Sequence, residues 1–197
     1  MNLDITPTRS AALDLKDERR AMQEGYTFLD EKCLVLAAEM LAELERYTLA
    51  TRAFGGAGAA AAAALAAAVS RHGFDGVEVL PPGPDEPGTL AVARRTLMGV
   101  PLVEARWQPA AAASAAGGSP EAEAAAAAFA SLVAQGAALG ALAGNLERLS
   151  REYRKTVRRA RALSDVLLPE LGRTIADIET RLEELEQEDA ILLRSTR

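Results

Sequence analysis

The chain has 197 residues, a net charge of -6 and only 4% aromatic residues. The acidic balance argues against a general nucleic-acid binder, and the scarcity of aromatic rings argues against a bulky globular core. A single cysteine, Cys33, excludes an internal disulfide and fits a reducing compartment, and the first ten residues lack the basic-then-apolar pattern of a signal peptide.

The first helix is predicted to begin between Pro7 and Ser10, with Thr6 or Thr8 as its cap. Two rows of residues then recur every seven positions, which is the spacing of a coiled-coil seam. Gly55-Gly56 is expected to end this helix. The two rows are Leu15, Met22, Leu29 and Leu36, and Tyr26, Cys33, Met40 and Tyr47.

The middle of the chain, residues 55–118, is predicted to form a small foot. Ala57 to Arg71 reads as a short alanine-rich helix. Val77 to Leu80, Leu90 to Val92 and Leu97 to Val103 read as short strands, with a turn at Pro81 to Gly88, so a β-hairpin is expected. Pro109 to Gly118 reads as a linker.

The last helix is predicted to begin at Ser119-Pro120-Glu121, where serine caps, proline suits the first turn and the acid faces the positive end of the dipole. It should run to about Leu193, with a bend at Asp165 to Pro169 because proline lacks an amide and clashes with the carbonyl four residues back. Its apolar residues recur at steps of three and four. The predicted seam of this helix includes Leu163, Leu167, Leu171, Ile175, Ile178, Leu182 and Leu185.

These patterns predict an all-α fold built on a long antiparallel two-helix coiled coil. The expected organisation is an N-terminal coiled-coil helix at 1–54, the foot at 55–118, and a long C-terminal coiled-coil helix at 119–197 that bends near Pro169.

One segment requires a membrane test. Residues 124–146 contain no charged side chain, and Gly136, Gly140 and Gly144 are spaced by four. Alanine and glycine make up most of the segment and give little insertion energy. We therefore expect no membrane span, and interpret the glycine row as a place where three helices of the foot approach one another closely.

The order of several short motifs resembles the central-stalk D subunit of V-type and A-type ATPases and ATP synthases. The family carries Pro-Thr-Arg, Leu and Leu-Lys near its N-terminus, then Gly, Leu and Lys, and Met-Gly-Val before a proline in its middle segment. The corresponding residues here are Pro7-Thr8-Arg9, Leu13, Leu15-Lys16, Gly25, Leu29, Lys32 and Met98-Gly99-Val100-Pro101.

The C-terminal half carries the strongest resemblance. This sequence departs from the family pattern at Arg161, where asparagine is usual, and at Ser164, where glutamate is usual. The matching residues are Lys155-Thr156, Arg158-Arg159, Ala162-Leu163, Pro169, Ile175, Ile178, Leu182-Glu183-Glu184 and Glu188.

The resemblance implies a non-catalytic rotor shaft without a cofactor. Such a shaft would transmit torque between a ring of catalytic and regulatory subunits (A and B) and the ion-translocating membrane rotor. It would bind a small stalk protein, the F subunit of the family, and a membrane-rotor adaptor (C, or d). It would lie in the cytoplasm, peripheral on the inner face of the membrane.

A basic stretch in the last helix has three readings. It is a solvated outer face or, as the resemblance implies, a charged band facing acidic loops of the surrounding ring. The third reading is a nucleic-acid contact, against which the acidic chain and the presence of Tyr153 as the single stacking ring both count. The candidate ring-contact residues are Arg9, Arg154, Lys155, Arg158, Arg159 and Arg161.

No residue pattern indicates catalysis or a metal site. The acidic cluster from Glu183 to Asp189 reads as a solubilising surface, Cys33 as a small apolar seam residue, and His72 as a histidine at a loop end. There is no glycine-rich phosphate loop.

Two alternatives remain open on the sequence. One is the coiled-coil stalk of a secretion or flagellar export ATPase, which should be shorter and lack the strand-like segment around Val77 to Val103. The other is a coiled-coil scaffold without any link to a motor.

Overall fold

The computed structural model describes residues 7–78, 88–109 and 119–195. Helix α1 spans Arg9–Glu78, strands β1 and β2 span Thr89–Leu97 and Val100–Gln108, and helix α2 spans Pro120–Ala162. A five-residue π-helix, Leu163–Leu167, leads into helix α3, Leu168–Ser195. The prediction of two long packed helices is confirmed, and so is the small antiparallel hairpin that the chain forms between them.

Two compact units make up the chain. The terminal unit contains Met1–Val35 and Tyr153–Arg197, and the hairpin unit contains Leu36–Glu152. The division into coiled-coil helices and a foot at 1–54, 55–118 and 119–197 stays a prediction.

Both predicted helix starts have a side-chain cap. The Ala11 amide donates to the Thr8 hydroxyl at 3.1 Å, and the Ala122 amide donates to the Ser119 hydroxyl at 3.2 Å. Each hydroxyl satisfies one of the amides that a first helical turn leaves unpaired. Pro7 lies just before the cap, and Thr6 lies outside the described residues.

The helix break predicted at Gly55-Gly56 is wrong, because α1 continues to Glu78. Each glycine costs a helix only about 1 kcal/mol relative to alanine, and the alanines that follow are the best helix formers. The seven-residue spacing also continues as Phe54, Ala61 and Ala68, and both alanines are fully buried. The predicted short helix from Ala57 to Arg71 is therefore a continuation of α1.

Helix α1 is interrupted at Gly73, whose φ of 72° and ψ of 168° are not helical. A positive φ of this kind is accessible to glycine because it has no Cβ. His72 is thus a helical residue just before the kink, and not a residue at the end of a loop. Val77 and Glu78 are helical and not part of a strand, while Val79, Leu80 and most of the predicted Pro81 to Gly88 turn lie outside the described residues.

The predicted hairpin is confirmed, but its turn lies elsewhere. Met98 and Gly99 connect the strands, with φ values of 48° and 84°. Two successive residues with positive φ are the mark of a two-residue hairpin turn whose twist matches that of the strands. The strand predicted from Leu97 to Val103 is therefore split by this turn, and Thr89 pairs with Gln108 at the far end of the ladder.

The expected irregularity near Pro169 is a π-turn. The Leu168 amide bonds to the carbonyl of Leu163, five residues back, so this turn holds one residue more than a regular turn. The predicted seam also has one residue too many here, since three successive steps of four connect Leu163, Leu167, Leu171 and Ile175. The π-turn absorbs that residue, and as a result Leu168 is half-buried while Leu167 is 39% exposed.

Candidate functional site

The β-hairpin is attached to helix α2 by one side chain. The Val103 amide donates to Oδ1 of Asn145, and Nδ2 of Asn145 donates to the Val103 carbonyl, both at 2.9 Å. Asn145 is 2% exposed, and Arg148 donates to its Oδ1 at 2.7 Å, which fixes the orientation of the amide. The carboxamide therefore occupies the place that a neighbouring strand would take beside β2.

A second attachment connects β1 to helix α1. Arg95 donates to Glu39 and, at 3.3 Å, to Glu43, and the hydrogen bond to Glu39 raises the pKa of Arg95. Arg46 also donates to Glu43 at 3.0 Å. The side chain of Glu43 is only 2% exposed, and no described residue forms a hydrogen bond with its buried Oε2, so this carboxylate depends on its two arginines.

Sequence reasoning missed both attachments. Glu43 follows the predicted seam residue Leu36 by seven positions, and a charged residue in an apolar row was the signal that could have identified it. Asn145 lies in the uncharged stretch 124–146, and no sequence spacing connects it with Val103. No sequence spacing connects Arg95 with residues more than fifty positions away.

The apolar underside of the hairpin is formed by Val100 and Leu102, which are 4% and 0% exposed. They alternate with outward residues, as the pleat of a strand requires. Together with the two polar attachments, this burial fixes which face of the hairpin is turned inward.

Helices α1 and α2 approach closely at one of the three glycines. A Cβ on Gly136 would lie 3.3 Å from the ring of Phe54, whereas one on Gly140 would meet nothing within 4 Å. A Cβ on Gly144 would meet only Arg148 of its own helix. In the described part of the foot the expected meeting of three helices is thus wrong: two helices and a hairpin pack there, and one glycine serves the contact.

The terminal unit has a small apolar core. Ala12, Leu15, Ile175 and Ile178 are buried together, with Leu171 and Leu182 packed against them. Lys16 pairs with Glu179 at 2.5 Å, and Arg9 pairs with Glu186. From Arg9 to Lys16 the chain advances by seven residues, whereas their partners go back by seven, from Glu186 to Glu179. The two helices of this unit are therefore antiparallel.

The remaining predicted seam residues differ in burial. Leu36 is fully buried, and Met22, Leu29 and Leu163 are half-buried. Leu185, at 48% exposed, lies outside the core, as does Leu167. The core of the terminal unit therefore ends near Leu182, because beyond it no described apolar residue of α1 lies opposite.

The candidate ring-contact residues are all on the surface. Arg9 donates to Glu186, a bond that raises the pKa of Arg9. The others alternate with Thr156 and Ala160, which are buried, so the basic side chains occupy the outer side of the helix. We call these five residues the basic band: Arg154, Lys155, Arg158, Arg159 and Arg161.

Among the described residues, no group of three or more His, Cys, Asp or Glu has the geometry to hold a metal ion. Burial and the charge of Asp30 raise the pKa of Cys33, which disfavours the reactive thiolate. Nε2 of His72 lies 3.9 Å from Oε2 of Glu121 within the hairpin unit.

Two stretches of helix, in Arg9–Val77 and in Pro120–Ser195, are long and apolar enough to cross a membrane by composition alone. Soluble helices often pass the same test, and here the apolar windows are rich in alanine. The absence of a membrane span stays a prediction.

The family model for the D subunit of ATP synthase matches residues 11–197. The chain is 31% identical over 196 residues to the A-type ATP synthase D subunit of Methanosphaera stadtmanae, covering 96% of this chain and 92% of that protein. It is 25% identical over 198 residues to the V-type ATP synthase D subunit of Thermotoga neapolitana, covering 98% and 96%. A third relative, the A-type ATP synthase D subunit of Thermococcus sibiricus, is 27% identical over 198 residues, covering 98% and 92%.

Proposed function

Because this chain belongs to the ATP synthase D-subunit family, we propose that it is the non-catalytic shaft of a V-type or A-type rotary ATPase. It is a central-stalk subunit of a multi-subunit, membrane-associated complex. The observation that carries the proposal is the family match over nearly the whole chain, on a fold of two long antiparallel helices.

The proposed shaft transmits torque between a ring of catalytic and regulatory subunits, A and B, and the membrane rotor. The small F subunit and an adaptor, C or d, bind it, and it lies at the cytoplasmic face of the membrane without crossing it. The hairpin at Thr89–Gln108 favours this function over an export-ATPase stalk, for which no strands were expected.

The physical basis of the proposal is asymmetry. A ring of repeated sites is driven in sequence only by a central element that presents a different surface to each of them. Each orientation of the shaft then stabilises a different conformation of the ring, because its affinity for the conformations differs. The π-turn at Leu163–Leu167 and the basic band beside it give the terminal unit such unequal faces.

The exposure of the basic band supports the proposal that its residues contact the ring. Its exposed charges are screened by salt and form weak, reversible contacts, as a rotating surface requires. Any single strong contact would hold the shaft in one orientation.

The test is purification of the tagged, full-length protein from its native host, followed by identification and quantification of what accompanies it. We expect the ring subunits and a small stalk subunit in fixed ratios, with ATP hydrolysis in the purified complex. If the protein is recovered without any ATPase subunit, the unrelated coiled-coil scaffold becomes the better account.

A further inference from the structure

The hairpin has two edges, and the ladder determines which groups each edge presents. In a hairpin with a two-residue turn, the residues flanking the turn, Leu97 and Val100, bond to each other, and alternate pairs along the ladder do the same. The amide and carbonyl groups of the intervening residues point away from the partner strand. On β2 this set includes Val103, whose groups do bond outward, to Asn145.

The outer edge of β2 is blocked in the half nearest the turn. Asn145 occupies both groups of Val103, and Pro101, another outward residue, has no amide to offer. A further strand therefore has no continuous ladder to join on this side.

The outer edge of β1 is open. Every residue from Thr89 to Thr96 is exposed, and no group of the described residues bonds to the outward amides and carbonyls. Exposed edges of this kind are templates for another strand and are usually covered or blocked in proteins. The outward residues of β1 are Leu90, Val92, Arg94 and Thr96.

The side chains at this edge define what would bind. Leu90 and Val92 are 51% and 46% exposed and lie on the face turned away from the helices, where Trp107 pairs with Leu90 and Ala105 with Val92. Arg94 is exposed on the same face, and no carboxylate of the described residues pairs with it. An extended segment with apolar residues against Leu90 and Val92 and an acidic residue near Arg94 matches this surface.

We propose that the outer edge of β1 docks an extended, apolar and acidic segment of a neighbouring subunit, which adds a third strand to the hairpin. The proposal rests on the proposed function, since the neighbour is a subunit of the same ATPase complex.

Hydrogen exchange at single-residue resolution tests this on the unsubstituted protein. Free full-length chain and the complete ATPase complex are compared. The inward amides of Ala91, Ala93 and Arg95 should be protected in both, whereas the outward amides of Val92, Arg94 and Thr96 should exchange rapidly in the free chain and at least tenfold more slowly in the complex.

Three other outcomes each overturn a specific statement. A chain that enters the complex while its outward amides stay unprotected overturns the strand addition and leaves the proposed function intact. A chain that does not assemble with any ATPase subunit overturns the proposed function, and the identity of the neighbour with it. Protection of the outward amides in the free chain together with a dimeric mass in light scattering shows that a second copy occupies the edge, which also overturns the proposal.

A pair of variants separates backbone pairing from side-chain contact. Val92→Pro removes an outward amide without removing a bond of the hairpin, whereas Val92→Ala keeps the amide. We expect Val92→Pro to weaken retention in the complex about tenfold and Val92→Ala by much less. An equal loss of retention with the two variants would overturn the proposed strand pairing. Unchanged fluorescence of Trp107, the only tryptophan, verifies that the hairpin of each variant is intact.

Discussion

The carboxamide of Asn145 forms two hydrogen bonds of 2.9 Å with the backbone of Val103 and so acts as a one-residue substitute for a third strand. The two bonds join positions 42 residues apart and cover the edge of β2. Because Asn145 is almost fully buried, its removal takes the hydrogen-bond partner from both groups of Val103 at a partly buried position.

Asn145→Ala is therefore expected to lower the free energy of unfolding by about 1–3 kcal/mol. Denaturant titration followed by Trp107 fluorescence measures the change. Glu147→Ala on the same helix is the control, since the Glu147 side chain is 71% exposed and pairs with Arg151 one turn later, and should cost no more than about 0.5 kcal/mol. Similar losses for both variants would contradict the role assigned to Asn145.

Arg95→Ala should destabilise the hairpin unit by about 1–3 kcal/mol, because the buried carboxylate of Glu43 would then depend on Arg46 alone. Its neighbour Arg94 points to the opposite face, so Arg94→Ala is the matched control and should change stability by no more than about 0.5 kcal/mol. Glu43→Leu, which restores an apolar seam residue, should preserve or increase stability in the same denaturation assay. A large loss with Glu43→Leu would show that the ion pair itself stabilises the fold.

Ile178→Asp is expected to disrupt the terminal unit, since Ile178 is 5% exposed and a buried, unpaired carboxylate costs several kcal/mol. We expect a clear drop in melting temperature by circular dichroism and a loss of coupled ATP hydrolysis in the reconstituted complex. Leu185→Asp introduces the same charge at an exposed position and should leave the melting temperature nearly unchanged. A wild-type melting curve for Ile178→Asp would remove that residue from the core.

Reversal of the charges in the basic band should weaken assembly with the ring in a salt-dependent way. With Arg158→Glu and Arg159→Glu together, we expect a large loss of affinity at low ionic strength and a much smaller one at high ionic strength, because salt screens exposed charges. Binding can be measured by titration of the isolated ring. The single variant Arg158→Glu has a matched control in Arg52→Glu, which changes an exposed arginine of the hairpin unit. If both single variants reduced the affinity for the ring equally, the basic band would be only a solubilising surface.

The stability that the first turn of helix α2 contributes should decrease in acid. A hydrogen bond from its own backbone amide and the charge of Arg71 lower the pKa of Glu121 below its ordinary value of 4.5. Because the folded-state pKa is depressed, the carboxylate contributes stability above pH 4.5, and this contribution is lost as the pH falls below that value through the folded-state pKa.

Glu121→Gln should accordingly lower the melting temperature at neutral pH, and the difference from the unsubstituted chain should vanish in acid. Glu123→Gln, which changes the charge of the same helical turn without a contact to Arg71, is the control. A difference between the Glu121 variant and the unsubstituted chain that is independent of pH would exclude the carboxylate as its cause.

Several features of the chain could be predicted because their causes are local. Thr8 and Ser119 cap the helices that follow them, as their positions before the helical pattern predict. Leu15 of α1 and Ile175 and Ile178 of α3 lie in the core of the terminal unit because steps of three, four and seven place residues on one side of a helix.

The wrong predictions arose where a local rule competed with packing. Gly55-Gly56 is a helix breaker by composition, yet α1 continues because the alanines on its inner face still have helix α2 to pack against. Leu167 fits the seam by counting, but the π-turn required by the extra residue turns it outward and buries part of Leu168 instead.

The sequence by itself determined the two long helices, their antiparallel pairing and the family, because spacing, caps and motif order are all encoded along the chain. Only the tertiary structure decided how the hairpin is held, through Arg95 on Glu39 and Glu43 and through Asn145 on Val103. Those partners are separated by 42 to 56 positions, and the contacts exist only after the helices and the hairpin have packed together. The difference in range is the physical reason: periodicity acts over a few residues, whereas a buried polar contact depends on the whole fold.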